Sequence, residues 1–353
     1  MRPFVVVIFF GFTLCSFAQS PADRDSFEVF QSDLQHRLDR LEKLTDDIMW
    51  FQRLSDVAYV DKFFIVGPPL AKEKNPTALG AGNPLKFWVY AFFPKNIDPS
   101  KKYPLIVLPH GGVHADFTTY YFHIVREMVW QGYVVVAPEY RGSTGYGKSF
   151  YETIDYGGLE VEDVLASKNY MVENFSFIDS NRVGVVGWSH GGLIALMNVF
   201  KYPNEYKAAF AGVPVSDLVA RMGYYNDNYR KHFSADYHIG ATANENVEEY
   251  RRRSPIWNVD KFKNIPLLIH TNTNDEDVHV LEVESLIRAL KAEGKKFEYE
   301  IFHNLPGGHS FDRMDTKSAK EIRVKIYRFL NNHLKPENPI KTYDQLQTAG
   351  YRF

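Results

Sequence analysis

The chain has 353 residues, with 41 Lys and Arg against 43 Asp and Glu and a formal net charge of -2. The two signs are interspersed, which excludes electrostatic capture of nucleic acid or of an anionic membrane surface. A content of 45% hydrophobic and 15% aromatic residues suffices for one large core, and the single cysteine, Cys15, excludes disulfides, thiolate metal sites and a cysteine nucleophile from the body of the chain.

In chain order, an apolar run over residues 4–14 behind Arg2, followed by Ser16-Phe17-Ala18, reads as an export signal of residues 1–18 cleaved before Gln19. That predicts a secreted or periplasmic protein. The run is about half the roughly twenty residues that a membrane helix needs, and no other stretch approaches that length, so no span is expected. Phe27, Phe30, Leu34, Leu38, Leu41, Leu44 and Ile48 then recur at spacings of three and four, predicting an amphipathic helix packed on the main domain. Residues 67–84, rich in Pro, Gly and Ala, read as a loop joining two strands. Helix, strand and loop over 19–83 thus precede a main domain over 84–336, with a tail at 337–353.

Within the main domain, short β-rich runs alternate with helical patterns. The runs at 87–93, 105–108, 133–137, 183–186, 208–213, 267–269 and 297–302 predict strands, and residues 161–172, 193–200, 280–290 and 317–334 predict helices. Alternation of this kind implies an α/β fold, a mostly parallel sheet with helices on both faces. Residues 216–250 interrupt it with a cluster of Tyr, Asn and Asp, where an insertion can cover an active site. The triple Arg251-Arg252-Arg253 reads as a solvated helix face.

The strand at 183–186 runs into Gly187-Trp188-Ser189-His190-Gly191 and then a helix, the nucleophile-elbow pattern of the α/β-hydrolase fold. Ser189 is the candidate nucleophile, and the flanking glycines let strand and helix pass where a side chain would clash. His110-Gly111-Gly112 follows the strand at 105–108, where this fold places its second oxyanion loop, so the backbone N–H groups of Gly112 and His190 are the candidate oxyanion donors. His110 itself reads either as a substrate contact or as a structural loop histidine. An acid and then a histidine should follow in that order. Asp275 stands in Asn274-Asp275-Glu276-Asp277-Val278, just past the strand at 267–269, with Asp277 as its competitor and a solvated loop or loose cation site as the bland alternative. His309 stands on Pro306-Gly307-Gly308-His309, past the strand at 297–302, with His303 at the strand end as its competitor.

With these residues in place, the chain from about residue 87 to 334 resembles the catalytic domain of the prolyl oligopeptidase family of serine peptidases. Tyr140-Arg141-Gly142-Ser143-Thr144-Gly145-Tyr146-Gly147 is similar to that family's Arg-Gly-Ser-x-Gly-x-Gly stretch, Val161-Glu162-Asp163-Val164 to its following helix, and Ser254-Pro255-Ile256 to the segment ahead of the strand at 267. An acid three residues before a valine also matches, which favours Asp275. The resemblance implies a Ser189, Asp275, His309 triad with no metal or cofactor.

The chain departs from the family in three places. The residues between Gln19 and Phe87 are too few for the family's β-propeller, so neither size filtering nor exopeptidase action is expected. Val113 replaces the proline that often follows His-Gly-Gly, a change in loop rigidity that leaves the backbone donors in place. Where dipeptidyl peptidases place pocket aromatics, this chain offers Val215, Leu218 and Arg221, so a preference for proline is not expected. Val215, Leu218, Val278, Tyr224 and Tyr225 are nonetheless the candidate pocket residues, the tyrosines belonging to a cluster with Tyr229, Phe233 and Tyr237 that reads equally as a packed insertion.

The expected function is hydrolysis of short peptides through an acyl-enzyme intermediate. The same triad cleaves acyl esters, so a carboxylesterase is the alternative, and a non-catalytic ligand-binding protein is the third reading. A small peptide or ester is the expected partner; oligomeric state is not legible.

Overall fold

The computed structural model describes residues 21–350, and the export signal expected over residues 1–18 lies outside the described residues. Strands β1 (Ala58–Gly67), β2 (Leu85–Pro94), β3 (Tyr103–Val107), β4 (Val134–Pro138), β5 (Ile178–Trp188), β6 (Ala208–Gly212), β7 (Leu267–Asn272) and β8 (Glu298–Phe302) form one eight-stranded sheet. Their order is β1-β2-β4-β3-β5-β6-β7-β8, and β2 alone runs against the rest. The helices are α1 (Pro21–Leu54), α2 (Phe122–Trp130), α3 (Lys148–Tyr151), α4 (Glu160–Asn174), α5 (His190–Lys201), α6 (Leu218–Tyr224), α7 (Asp227–Ser234), α8 (Val247–Arg252), α9 (Val280–Ala292), α10 (Lys317–Leu334) and α11 (Tyr343–Ala349). This is the α/β-hydrolase arrangement.

Successive strand residues point to opposite faces. Leu105 and Val107 of β3 therefore join Val183 and Val185 on one face, beneath Val164 of α4, Leu193 of α5 and Leu286 of α9. Ile106 joins Val135, Val186 and Phe210 on the other, beneath Met128 of α2 and Leu330 of α10. Strands buried on both faces carry unbroken apolar runs, which is why they were legible as strands.

Two of the motifs that carried the family resemblance, the stretch at 140–147 and the helix at 161–164, meet in space. The Arg141 guanidinium, fully buried, donates from Nε and Nη2 to the Asp163 carboxylate at 2.7 and 2.8 Å, and from Nη2 and Nη1 to the carbonyls of Pro68 and Pro69 at 2.9 and 3.2 Å. One side chain thus ties the loop after β4 to α4 and to the end of β1.

α1 forms where its spacing predicts, but the expected packing is reversed. Phe27, Phe30, Leu34, Leu38, Leu41, Leu44 and Ile48 point away from the domain and are 43% to 69% exposed. The reason lies on the opposite face, which polar anchors hold. Lys43, buried, donates to Asp116 at 2.9 Å and pairs with buried Glu139; Asp46 accepts the Thr119 N–H; Asp47 pairs with Lys62 at 2.7 Å and with the Tyr90 hydroxyl. Among the described side chains, α1 buries apolar residues only at its end, at Trp50 and Leu54.

Two smaller readings also change. Arg253 of the Arg triple is buried in ion pairs with Asp155 and Glu249, both 2.7 Å, while Arg251 and Arg252 pair with Glu248 and Glu249 near the surface. The stretch beyond residue 337 holds α11, with Leu346 and Ala349 buried and Thr342 and Gln345 forming a capping box. Among the described residues, no helix is long and apolar enough to cross a membrane.

Candidate active site

At the end of β5 the chain turns into α5 through Ser189, whose φ of 58° and ψ of -123° are strained for a side chain of any size. The turn is held by its own backbone: Ser189 N–H donates to the Gly212 carbonyl at 2.9 Å, and the Ser189 carbonyl accepts from Leu193 and Val215 N–H, both at 3.1 Å. A Cβ on Gly187 would overlap the carbonyl of Gly191, and one on Gly191 would overlap the carbonyl of Pro109, so neither position tolerates a side chain. The loop after β3 presses on the same turn, since a Cβ on Gly111 would lie 2.9 Å from the Trp188 carbonyl oxygen.

That loop carries the other predicted residues. Gly112 has a φ of 84°, in the region that favours glycine, and lines the cavity in front of Ser189. His190 is the first residue of α5, where N–H groups have no partner inside the helix. The His110 ring stacks on Tyr140 at 4.2 Å and shares a 2.9 Å hydrogen bond between Nε2 and Ser143 Oγ. Burial lowers its pKa to about 4, so the ring is neutral near pH 7.

Asp275, past β7, is 6% exposed and accepts the N–H groups of Asp277 and Val278 at 2.9 Å each. The same carboxylate meets His309 Nδ1 at 2.8 and 2.9 Å. His309 sits past β8 on a short turn entered through Gly307 and Gly308, with φ of 100° and 50°. His303 is exposed at the end of β8. Asp277 approaches the other ring nitrogen, with a carboxylate oxygen 3.6 Å from Nε2. Its second oxygen accepts from Arg221 Nη2 at 3.0 Å and from the Tyr225 hydroxyl at 2.7 Å. Burial raises the Asp277 pKa, but His309, Tyr225 and Arg221 outweigh it and hold the carboxyl below its ordinary value. Among the described residues, no hydrogen bond joins Ser189 Oγ to His309.

Ser189, His309, His110 and Gly112 line one cavity of about 280 Å³. Its apolar wall is Trp50, Leu108, Phe117, Ile124, Val125 and Trp188, and its polar rim includes Asp116, Tyr121, Asp277 and Arg313. Sequence reasoning missed this wall. Trp188 was in view as the residue before the serine, and residues 117–125 follow the His-Gly-Gly loop, but Trp50 reaches the site only through the placement of α1. It stacks on Phe117 at 5.0 Å.

The pocket residues expected from the sequence lie elsewhere. Val215, Leu218 and Val278 are fully enclosed in the core. Tyr224, Tyr225 and Tyr229 surround the Arg221 guanidinium: Tyr229 and Tyr224 hydroxyls meet it at 2.6 and 2.9 Å, and Tyr224 also donates to Glu282 at 2.5 Å. The cluster is a packed insertion around a buried cation; none of its rings lines the cavity, and it reaches the rim only through the Tyr225 hydroxyl, which donates to Asp277.

Residues 119–337 match the Prolyl oligopeptidase family. The chain is similar to dipeptidyl peptidase 8 of Homo sapiens, 28% identical over 246 residues, 66% of this chain and 26% of that protein. It is also similar to an uncharacterized peptidase of Bacillus subtilis, YuxL, 31% identical over 244 residues, 68% of this chain and 36% of that protein. The chain therefore spans about a quarter to a third of these relatives, 26% and 36% of their lengths. Among solved structures, dipeptidyl peptidase 4 of Porphyromonas gingivalis aligns with a TM-score of 0.60 and 22% identity, over 78% of this chain and 36% of that one, a likeness of fold.

Proposed function

Because this chain belongs to the prolyl oligopeptidase family of serine peptidases, we propose that it hydrolyses short peptides with Ser189 as nucleophile, His309 as base and Asp275 as the residue that orients the base. The observation that carries this reading is the Asp275–His309 pair, bonded through Nδ1, opening on the same cavity as a serine in a strained turn. With its proton on Nδ1 toward Asp275, the imidazole keeps the Nε2 lone pair free. Nε2 takes the Ser189 proton as Oγ attacks the carbonyl carbon, and the resulting oxyanion accepts from the N–H groups of His190 and Gly112. Collapse breaks the C–N bond, and the leaving amine takes the proton from His309. Water, deprotonated in turn by Nε2, then attacks the acyl carbon, and as the bond to Ser189 Oγ breaks His309 returns that proton to Oγ. The Ser189–His309 hydrogen bond forms as substrate closes the site.

The apolar wall of Trp50, Phe117 and Trp188 and a volume of about 280 Å³ fit one bulky apolar side chain beside the scissile bond. The apolar run behind Arg2 supports action outside the cytoplasm. The test is turnover of aminoacyl and dipeptidyl nitroanilides against short-chain nitrophenyl esters, with Ser189→Ala as blank. Amide turnover favouring Phe or Leu over Ala is the expected result. Ester turnover alone would replace the reading with a carboxylesterase, and binding without turnover of either would make the chain a ligand-binding protein.

A further inference from the structure

The exposed stripe on α1 has a stricter order than a surface helix needs. Phe27, Leu34, Leu41 and Ile48 stand seven residues apart, and Phe30, Leu44 and Phe51 each follow one of them by three. All seven are exposed, by 43% to 69%. A straight helix drifts by about 20° per seven residues against such a repeat, so a stripe that holds it over four turns of the pattern belongs to a seam wound around another helix.

The helix cannot roll to bury the stripe in its own domain. Lys43, Asp46 and Asp47 tie the opposite face to Asp116, Thr119 and Lys62, and Trp50 is locked among the aromatic residues of the core. At half exposure these side chains present on the order of 100 Å² each, or roughly 700 Å² together. That exceeds the roughly 300–600 Å² patch of an ordinary monomer and approaches the roughly 800 Å² per partner of a stable interface. Arg37, three residues after Leu34, fills the one place in the repeat without an apolar side chain, and Asp33 and Arg40 stand beside the stripe with opposite signs, which suits a second copy of the same helix and not an anionic lipid surface.

We propose that α1 pairs with α1 of a second copy of this chain, so that the two apolar stripes close on each other as a two-stranded coiled coil in a homodimer. The pairing is independent of the catalytic reading, because none of the stripe residues lines the cavity.

Sedimentation of the full chain at micromolar concentration tests it, with two double variants, Leu34→Glu with Leu41→Glu and Leu34→Lys with Leu41→Lys. The wild type is expected at twice the chain mass. Each variant is expected to keep its unfolding temperature and to sediment as a monomer, its self-association weakened on the order of a hundredfold or more. Mixing the two variants is expected to restore a dimer through opposite charges across the seam. A monomeric wild type overturns the proposal, as do a dimer that survives in both variants and a monomer that instead binds vesicles of mixed neutral and anionic lipid through α1.

Discussion

His309 meets a carboxylate at each nitrogen, and the two carboxylates are built differently. Asp275 is buried, is held by two backbone N–H groups and bonds Nδ1; Asp277 is half exposed, is shared with Arg221 and Tyr225, and stands 3.6 Å from Nε2. Only the first can set the tautomer that leaves Nε2 as a base. Asp275→Asn is therefore expected to lower kcat by about 10⁴-fold, the cost of the wrong tautomer. Asp277→Asn removes a partly exposed pair worth about 1 kcal/mol and should change kcat less than about tenfold. Steady-state kinetics on one nitroanilide separates the two, and equal losses would remove the distinction. The sequence brought both acids forward, because Asn-Asp-Glu-Asp follows a strand end. It could not rank them by chemistry, since the backbone donors that distinguish Asp275 exist only once the turn has formed.

Elements were legible where one local pattern decides them. β3 to β7 are buried on both faces and read as apolar runs, and the elbow was readable because Gly187 and Gly191 answer to atoms within a few residues or in the adjoining loop. The orientation of α1 was not, because Asp116, Thr119 and Glu139, which capture its polar face, lie far along the chain. The tyrosines of α6 and α7 misled for a similar reason: the buried Arg221 gathers them, and nothing in their spacing shows it. The link between the loop after β4 and α4 is open to direct test. Arg141→Ala would strand the buried Asp163 carboxylate and is expected to cost about 3–5 kcal/mol of stability in denaturant unfolding. A loss under about 1 kcal/mol would mean that the pair does not hold these elements together.

The whole molecule carries a pH dependence in its buried histidines. Burial lowers the pKa of His110 to about 4 and of His114, His238 and His270 to about 3. In the unfolded chain each takes up a proton below about 6.5, whereas the folded groups do not. Their folded values are depressed, so the stability they contribute is complete above about pH 6.5 and is lost as pH falls toward 4 and 3. Glu139, pushed up by burial to about 7 despite Lys43, has the opposite sign: it keeps a proton in the fold that the unfolded carboxyl sheds above about 4.5, which favours the fold as pH falls from 7 to 4.5. Asp163, Glu282 and Asp312, also raised by burial, share that sign, while His123, His232 and His333 are lowered like the four rings above, so seven groups against four leave a net loss on acidification. Tm should fall by several degrees between pH 7.5 and pH 5, and a flat or rising Tm would contradict the neutral burial of these rings.

At this scale too lies the limit of what the chain reveals in one dimension. The sheet order brings Ser189, Asp275 and His309 to one edge, which spacing along the chain anticipated; the cavity wall is assembled from α1, the loop after β3 and β5, which it did not. The central claim is that Ser189 attacks the peptide carbonyl. Its most direct test is to react the protein with an alkyl fluorophosphonate and locate the adduct by peptide mass mapping alongside residual nitroanilide turnover. The account predicts one adduct, on Ser189, forming in step with the loss of activity and absent from Ser189→Ala, whose own turnover is lower by on the order of a millionfold. Full inactivation with the adduct on another residue, or undiminished turnover in Ser189→Ala, would contradict it.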